Sequence, residues 1–420
     1  MTRMQLTVLM ALVAIAMLAP CTLAAENSPF TKSLDALLAM PVQYEGRIAP
    51  LSAYAASGHR PWGAEELWQD LMFELAGFQI LMTAPMYPER DKWLSGNDIR
   101  MLTSPTPDQA QFLNLVDSIS QATLYRQADE FNSRTAALTA HLAAQRRLLG
   151  INTTRVTAES AFIRLRPLAI SALLYIVAGI VSWVLVARNA PRWLTAVAVA
   201  MAFVVNLACV SLYGYIAGRI PVNNSYEGML IFSVALGALA LVSLASPRGA
   251  SGAVMGALLA GVVLLAAEYS PIERGITPPV PALQSLWLQV HVLTCFIAYA
   301  AFALSFAASW VVLVSRDEGR QMRFDAISYR SVLLGFLFLT AGILTGAAWA
   351  RQAWGRYWGF DPKETWALVT WLIYAGYLHV GYLSGSRHFM RAVAAVLGFA
   401  AVMFTFFGVN YLLTGLHSYG

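Results

Sequence analysis

A short stretch of the chain, 349–366 (WARQAWGRYWGFDPKETW), concentrates aromatic and charged side chains between two long apolar segments. Tryptophan and tyrosine favour the membrane–water interface, so an interfacial aromatic belt is one interpretation. A belt places few aromatic residues at each helix end, whereas this stretch contains Trp349, Trp354, Tyr357, Trp358, Phe360 and Trp366. A slab of aromatic faces with cations beside it suits a large flat ligand that bears anionic groups. The basic side chains considered for those groups are Arg351, Arg356 and Lys363.

Histidine placement narrows the expected chemistry. His291 follows SLWLQV and His417 follows NYLLTGL, each at the same predicted membrane depth as the aromatic stretch. Two neutral imidazoles on opposite sides of a flat platform are suited to be the axial ligands of a metalloporphyrin. His379 lies about 15 residues into a predicted span, or about 20 Å at 1.5 Å per residue. An ionisable residue inside a span is a functional-site hypothesis, with simple packing as the alternative.

The residues DPKE at 361–364 have the types of a helix start. Aspartate suits the N-cap, proline the first helical position and glutamate the capping-box position. We therefore predict that the aromatic stretch is a loop at the outer membrane surface, followed by a spanning helix. Asp361 is interpreted first as a helix cap, with a role beside the ligand as the alternative. Capping and ligand contact are equally consistent with three residues at another predicted helix end: Asn223, Asn224 and Glu227.

The composition indicates that membrane helices position these residues. The chain has 420 residues, of which 58% are hydrophobic and 12% are charged, about half the charged share of a soluble domain. From 167 onward, apolar segments recur with lengths close to the roughly 20 residues that cross a bilayer. The eight predicted spans are 167–187, 193–217, 228–246, 252–268, 287–315, 330–350, 364–384 and 390–413. The cysteines predict no disulfide framework or zinc site, because Cys21, Cys209 and Cys295 form no CxxC pair.

The chain before the spans is expected to be exported. Residues 1–25 have a basic start, a short apolar core and small residues at the end, as in a secretory signal peptide, with an N-terminal anchor as the alternative. Residues 26–160 are predicted to form an exported, mainly helical soluble domain, with helical spacing over 64–82 and 108–150. A transmembrane domain follows over 161–420. The predicted fold class is an all-α polytopic membrane protein with about eight transmembrane helices.

Basic residues predict the orientation of the spans, because basic loops face the cytoplasm. The loops concerned hold Arg188 and Arg192, Arg248, then Arg316, Arg320, Arg323 and Arg330, and finally Arg387 and Arg391. The opposite loops, the aromatic stretch and the C-terminus are then predicted to face the exported side together with 26–160. The aromatic stretch supports this orientation least, since it carries basic residues of its own.

The stretch WGRYWGFDPKETWALVTWLIYAGYLH at 354–379 resembles the tryptophan-rich WWD signature of the cytochrome c assembly protein family, whose members handle haem in cytochrome c biogenesis. VNNSYEGMLIFS at 222–233, LWLQVHVLTCFIAYAAF at 286–302 and GVNYLLTGLHSYG at 408–420 resemble the CcsA (ResC) type, a component of the system II cytochrome c synthase. The haem proteins of system I share the tryptophan loop but are less similar around the asparagine-tyrosine-glutamate stretch.

The resemblance implies a haem-binding role for particular residues. His291 and His417 match the family's two exported-side haem-ligating histidines. His379 matches a histidine in a spanning helix, proposed to hold haem on its way from the cytoplasmic side. Phe360 stands where tryptophan is more usual, which keeps stacking and loses the indole N–H. The family's external haem-binding loop corresponds here to Trp354, Tyr357, Trp358, Phe360 and Asp361.

The function that the resemblance implies is an expectation at this point. The protein would hold haem b non-covalently or transiently, move it to the exported face of the bacterial inner membrane and present it to the CxxCH segment of apocytochrome c. It would act as the haem-presenting part of a synthase (haem lyase) with a CcsB/ResB-like membrane protein, which supplies a second intramembrane histidine. Thiol-reducing proteins are further candidate partners, and no nucleic-acid partner is expected.

Two alternatives belong to other functional classes. One is a non-catalytic haem exporter or chaperone of the system I type, which hands haem on without forming thioether bonds. The other is a small-solute transporter, which requires broken helices and polar residues near the middle of the bilayer. The last four predicted spans offer few such residues apart from His379, so the transporter ranks behind.

Overall fold

A computed structural model gives the fold of the chain. It describes residues 36–44, 47–53, 99–125, 127–148, 153–246, 249–270, 272, 274–277, 279, 281–380 and 387–416. Three sequence predictions therefore lie outside the described residues: the signal peptide or anchor over 1–25, the helical stretch 64–82 and the position of His417.

The first of two compact units comprises Met1–Arg166 with Glu273–Pro278. Its described residues form a small hairpin, in which strand β1 (Pro41–Tyr44) pairs antiparallel with strand β2 (Arg47–Pro50). Further along, the described residues form the helices α1 (Pro107–Leu124), α2 (Ala128–Leu148) and α3 (Thr154–Leu165). The sequence did not predict the hairpin.

Helices α1 and α2 form the core of this unit. Helix α1 begins at a capping box, because Thr106 Oγ1 accepts from the Gln109 amide and Gln109 Oε1 accepts from the Thr106 amide. Buried apolar side chains then face each other across the two helices and the hairpin region: Leu37, Leu51, Phe112, Ile119, Phe131, Leu138 and Leu142. The helical spacing predicted over 108–150 is therefore confirmed as two helices with a break after Leu124.

The second unit, Pro167–Ile272 with Pro279–Gly420, is a bundle of long apolar helices. In chain order they are α4 (Pro167–Ala187), α5 (Arg192–Ala217), α6 (Ser225–Ser243), α7 (Ala250–Tyr269), α8 (Leu286–Val314), α9 (Glu318–Trp354), α10 (Pro362–His379), α11 (Arg387–Met403) and α12 (Val409–Leu412). Within the described residues, seven helices are long and apolar enough to cross a membrane: α4 to α9 and the run Arg387–Leu412. The prediction of an all-α polytopic membrane protein is confirmed.

Helix α10 is the exception among the predicted spans. The sequence predicts a span over 364–384, and the helix found there has 18 residues and is not one of the seven. Its charged first turn, with Lys363 and Glu364, and its terminal His379 lower its mean hydropathy. Helix α10 nonetheless packs against α9 and α11 in the same bundle.

Helix α9 extends beyond its predicted span at both ends. The prediction was 330–350, whereas the helix runs over 37 residues, Glu318–Trp354. Asp317 caps its start by accepting from the Arg320 amide, and Gly355, in the left-handed region at φ 76°, ends it. Three arginines predicted to lie in a loop therefore lie on this helix: Arg320, Arg323 and Arg330.

Closely packed aromatic rings hold α8, α9, α10 and α11 together. The rings of Phe302 on α8 and Tyr374 on α10 stack with centroids 3.6 Å apart and planes 5° from parallel. A Cβ atom at Gly335 would lie 2.6 Å from the Phe302 ring, and one at Gly398 would lie 2.7 Å from the Tyr374 ring. Glycine is therefore required where α9 and α11 approach this pair. Leu339, one turn further along α9, belongs to the same core.

A π turn, Phe404–Gly408, separates α11 from α12. Such turns are rare and occur often at functional sites, because they widen the helix and redirect its side chains. Thr405 Oγ1 donates to the Ala401 carbonyl at 2.7 Å, and Gly408 leaves room for the Phe404 ring, which would lie 2.5 Å from a Cβ atom there.

Candidate functional site

A large cavity lies at one end of the membrane unit. Its walls are the starts of α6, α8 and α10, the end of α9, and the π turn with α12. It contains about 1160 Å³ of space, part of which is open to solvent. Most of its lining is apolar, with these aromatic side chains: Phe296, Tyr299, Trp349, Tyr357, Trp358 and Phe406.

His291 lies in the wall of this cavity with its imidazole against helix α9. Its Nδ1 atom is 2.7 Å from the carbonyl oxygen of Gly342. A Cβ atom at Gly346 would lie 2.7 Å from the ring, so glycine at this position makes room for the imidazole. A histidine whose Nδ1–H donates to a carbonyl has its metal-binding lone pair on Nε2. The backbone of α9 thus selects the tautomer suited to bind a metal through Nε2.

Trp349 packs beside the His291 imidazole and is itself held in a fixed orientation. It is buried, with 2% of its surface exposed, and its ring lies nearly parallel to that of His291, at 15° with centroids 6.2 Å apart. Its Nε1–H donates to the Ala282 carbonyl at 2.9 Å, which fixes the indole. Trp354 packs edge-on against Trp349 with a centroid distance of 4.7 Å. These two tryptophans therefore support the wall that carries His291.

The prediction that the whole aromatic stretch is a loop is wrong at its start. Trp349, Arg351 and Trp354 lie on the last turns of α9, and the loop begins only at Gly355. The residues of this loop that line the cavity are Tyr357 and Trp358. The prediction fails at this point because arginine and tryptophan can continue a helix past the end of the apolar segment. Gly355 then ends the helix.

Phe360 lies at the outside of the loop. It is 79% exposed, its backbone has a positive φ of 55°, and its ring meets that of Trp358 edge-on at 6.2 Å. Trp366, which follows on α10, packs against Phe404 of the π turn with a centroid distance of 4.3 Å. The structure thus distributes the aromatic residues of 349–366 between the cavity wall, its support and the exposed surface.

The three basic side chains predicted as partners for an anionic ligand group lie in different places. Arg351 is exposed, donates to the Gly355 carbonyl and lies 5.9 Å from the Tyr357 ring centroid. Arg356 is exposed too, with its guanidinium against Gly359. Lys363 alone among the three lines the cavity.

Lys363 begins a chain of polar contacts across the cavity wall. Its Nζ atom donates to Asn410 Oδ1 on α12 at 2.6 Å, and Asn410 Nδ2 donates to Ser225 Oγ on α6 at 3.3 Å. Asn410 was not predicted from the sequence, because only the fold brings α12 next to α10; its position in the segment NYLLTGL before the predicted ligand His417 was the available signal.

Asp361 combines a cap with a long-range contact. One carboxylate oxygen accepts from the Lys363 amide at 3.1 Å, and Glu364 completes the capping box of α10. The other oxygen accepts from the Leu416 amide at 2.6 Å. The predicted cap is confirmed, and this buried carboxylate also fixes the chain directly before His417.

At the start of α6, the structure shows the capping contacts that were one of the two interpretations of Asn223, Asn224 and Glu227. Asn224 is its N-cap and accepts from the Glu227 amide at 2.8 Å. The Glu227 side chain is fully buried and pairs with Arg219 through two contacts, of 2.6 and 2.8 Å. It also accepts from the Asn223 amide at 2.8 Å. Glu227 therefore organises the start of α6, while Asn223 and Asn224 also line the cavity.

His379 lies away from the cavity, at the opposite end of α10. Its side chain is exposed, and its Nδ1 atom is 2.7 Å from the Ala375 carbonyl oxygen of its own helix. Leu368, Leu372 and Gly376 are exposed on the same helix at intervals of about one turn. The structure therefore does not bring His379 together with His291.

The cavity fits a flat metal-containing macrocycle by the chemistry of its side chains. It offers an imidazole in the tautomer that binds metal through Nε2, aromatic walls for a planar ring and one ammonium group for an anionic substituent. Gly228 keeps the wall open, because a Cβ atom there would lie 2.7 Å from the Phe296 ring. Cys295 lies beside His291, with its sulfur 3.7 Å from Nδ1.

Comparison with known proteins gives the family. Residues 168–417 match the model of the cytochrome c assembly protein family. The cytochrome c biogenesis protein CcsA of Chlamydomonas reinhardtii is 38% identical over 218 residues, which cover 49% of this chain and 62% of the relative, less than two thirds of its length. Proteins of the same name from Synechococcus sp. CC9605 and Synechococcus elongatus PCC 7942 are 36% and 34% identical, over 79% and 91% of their lengths and 49% and 57% of this chain. The chain therefore belongs to the cytochrome c assembly protein family and is of the CcsA type.

Proposed function

We propose that this protein acts in cytochrome c biogenesis, where it binds haem, moves it to the exported face of the bacterial inner membrane and presents it for covalent attachment to apocytochrome c. The observation that carries the proposal is the imidazole of His291, tied through Nδ1 to Gly342 inside a cavity with aromatic walls. Family membership supports the same role, since the relatives are named as cytochrome c biogenesis proteins.

The residues take separate tasks in this proposal. His291 would bind the iron through Nε2, and His417 would supply the second histidine ligand. Tyr357 and Trp358 contact the macrocycle, since both line the cavity. Trp354 acts through Trp349, on which it packs, and Phe360 supports Trp358 from the exposed side. Asp361 holds the segment that leads to His417 through the Leu416 amide.

The contribution of the protein to the attachment reaction is positioning. Each cysteine thiol of the CxxCH segment adds across one vinyl group of haem, so that sulfur bonds to one vinyl carbon and hydrogen to the other. This addition needs no net oxidation, and the chain is not required to supply a nucleophile. Haem held by His291 and His417 would leave its vinyl-bearing edge available to the thiols.

A CcsB/ResB-like membrane protein is the proposed partner at the other end of α10. His379 is exposed there, in line with Leu372 and Gly376, on a face that is apolar apart from the imidazole. A Cβ atom at Gly376 would have no neighbour within 4 Å in the described chain, which leaves room for another helix. We propose that this partner adds the second imidazole for haem at the cytoplasmic side, and that the cavity and the C-terminus face the periplasm.

Co-expression tests the synthase against the system I type of exporter. The full chain, its partner and an apocytochrome c reporter are produced in a host that lacks its own cytochrome c assembly genes. A synthase yields reporter that retains haem after denaturing electrophoresis, and omission of the partner abolishes this yield. Haem bound by the chain without any covalent reporter, despite the presence of the partner, would favour the exporter.

A further inference from the structure

Part of the cavity wall is a connected group of polar residues. Lys363, Asn410 and Ser225 form a hydrogen-bonded chain from α10 through α12 to α6. Among the described residues that line the cavity, Lys363 is the one basic side chain apart from His291. The other polar side chains of the wall, such as Asn223, Asn224 and Glu364, carry no positive charge, so Lys363 is the cation that an anionic ligand group can reach there.

Two carboxylates lie near Lys363, those of Asp361 and Glu364, and both already accept from backbone amides: Asp361 accepts from the Lys363 and Leu416 amides. Glu364 Oε2 accepts from the Gly359 amide at 2.7 Å and from the Asp361 amide at 3.2 Å. No ion pair joins Lys363 to a carboxylate within the part of the chain that the structure describes. An ammonium group has three N–H donors, and Asn410 Oδ1 takes one of them. A cation in an apolar wall is stabilised most by an anion, so this arrangement favours an anionic ligand group.

The other two candidate cations have different roles. Arg351 donates to the Gly355 carbonyl and lies over Tyr357, at the end of α9. The Arg356 guanidinium lies against Gly359 in the exposed loop. Neither side chain lines the cavity, so both serve the loop rather than the interior.

We propose that Lys363, held in place by Asn410, forms a carboxylate subsite that pairs with one carboxylate of the bound ligand. This inference rests on the proposed function, in which that carboxylate is a propionate of haem. Asn410 orients the ammonium group through Oδ1, and Ser225 in turn orients the Asn410 amide. The subsite fixes which edge of the ring points towards α10 and α12, and it discriminates against ligands without a carboxylate at that edge.

The test compares haem with its dimethyl ester, in which both carboxylates are blocked and the iron is unchanged. The full-length protein, purified in lipid nanodiscs, is titrated with each compound, and the dissociation constants are obtained from the absorption change. Because axial ligation is common to both compounds, the ratio of their affinities isolates the carboxylate contact. We expect the wild type to prefer haem by about 10- to 100-fold, the range of a hydrogen bond to a charged group.

Variants assign this preference to one residue. Lys363→Gln removes the charge but keeps an N–H donor for Asn410, and Lys363→Met removes both. Each is expected to reduce the preference to about twofold or less, without weakening ester binding. Arg351→Met and Arg356→Met are matched controls and are expected to retain the preference. Unfolding temperatures identify misfolded variants, and Lys363→Gln is the variant that conserves the structural contact.

The outcomes separate the subsite from the proposed function. Equal binding of haem and ester by the wild type overturns the subsite but leaves haem binding intact. Retention of the preference in folded Lys363→Gln, or its loss in Arg351→Met or Arg356→Met, assigns the carboxylate to another cation and also overturns the inference. If the wild type binds neither compound, the proposed function itself fails.

Discussion

The Nδ1 atom of His291, on α8, lies 2.7 Å from the carbonyl oxygen of Gly342 on the neighbouring helix α9. This contact determines which imidazole nitrogen carries the proton and which can bind a metal. It exists because Gly346, one turn further along α9, lets the ring lie directly on the helix surface. The chemistry proposed for His291 therefore depends on a glycine of a different helix.

Gly346→Ala is expected to weaken haem binding at least tenfold. A Cβ atom at this position would lie 2.7 Å from the imidazole and must displace it from Gly342. The displaced imidazole would no longer be aligned with the iron. A loss of about 1.4 kcal/mol of binding free energy corresponds to a tenfold lower affinity. The measurement is a haem titration monitored by absorption, together with the unfolding temperature of the ligand-free protein.

Gly376→Ala is the matched control for that variant. It is the same substitution in another helix of the bundle, at a position where a Cβ atom would have no neighbour within 4 Å. We expect unchanged haem affinity and equal or slightly higher stability, since alanine favours a helix by up to about 1 kcal/mol over glycine. Equal haem affinities for Gly346→Ala and the wild type would show that haem binding does not depend on the space that Gly346 leaves for the His291 imidazole.

Asp361→Ala is predicted to lower both stability and haem affinity. The loss of the N-cap costs about 0.5–2 kcal/mol, and the loss of the Leu416 contact releases the chain before His417. Asp361→Asn keeps a side-chain oxygen and is expected to have a smaller effect on both quantities. If Asp361→Ala lowers only the unfolding temperature and haem affinity stays constant, Asp361 acts as a cap alone.

Glu227 is predicted to serve stability and not ligand binding. Glu227→Ala leaves Arg219 without its carboxylate, and the loss of one partner of a buried pair costs about 3–5 kcal/mol. The double variant Arg219→Leu/Glu227→Leu removes both charges and is expected to be more stable than the single variant. Unfolding in detergent and haem affinity per folded molecule are the measurements. A folded Glu227→Ala protein with strongly reduced haem affinity would contradict this assignment.

His379→Ala is expected to separate the two histidine sites. The side chain is exposed and lies outside the cavity, so the isolated chain should keep its stability and its haem affinity at the His291 cavity. With the partner present, the yield of covalent reporter cytochrome should fall, because the proposed haem route would lose its ligand at His379. An unchanged yield would remove His379 from the proposed route.

Local sequence patterns predicted the helices and their caps well. The apolar segments identified each helix of the bundle, and the DPKE residues placed the start of α10, because both signals depend on neighbouring residues. The extension of α9 to Trp354 and the π turn at Phe404–Gly408 were not predictable in the same way. Packing against other helices decides these features, and packing leaves no local pattern.

The contrast between local patterns and long-range packing also applies to the candidate site. The sequence predicted His291, the aromatic residues and Lys363 as site residues by type, but it could not choose among three cations or separate wall residues from exposed ones. Those distinctions depend on contacts such as that between Lys363 and Asn410, which are 47 residues apart. Asp361 and Leu416, 55 residues apart, give a second example.

The absorption spectrum of haem in the purified protein, with and without imidazole, tests the central claim most directly. The wild type should show low-spin iron with two histidine ligands, and His291→Gly and His417→Gly should each lose haem or change to a spectrum with one axial ligand. Millimolar imidazole should restore the wild-type spectrum in both variants and leave the wild type unchanged, since the small ring fills the vacated position. A His291→Gly protein that binds haem with the wild-type spectrum in the absence of imidazole would contradict the account.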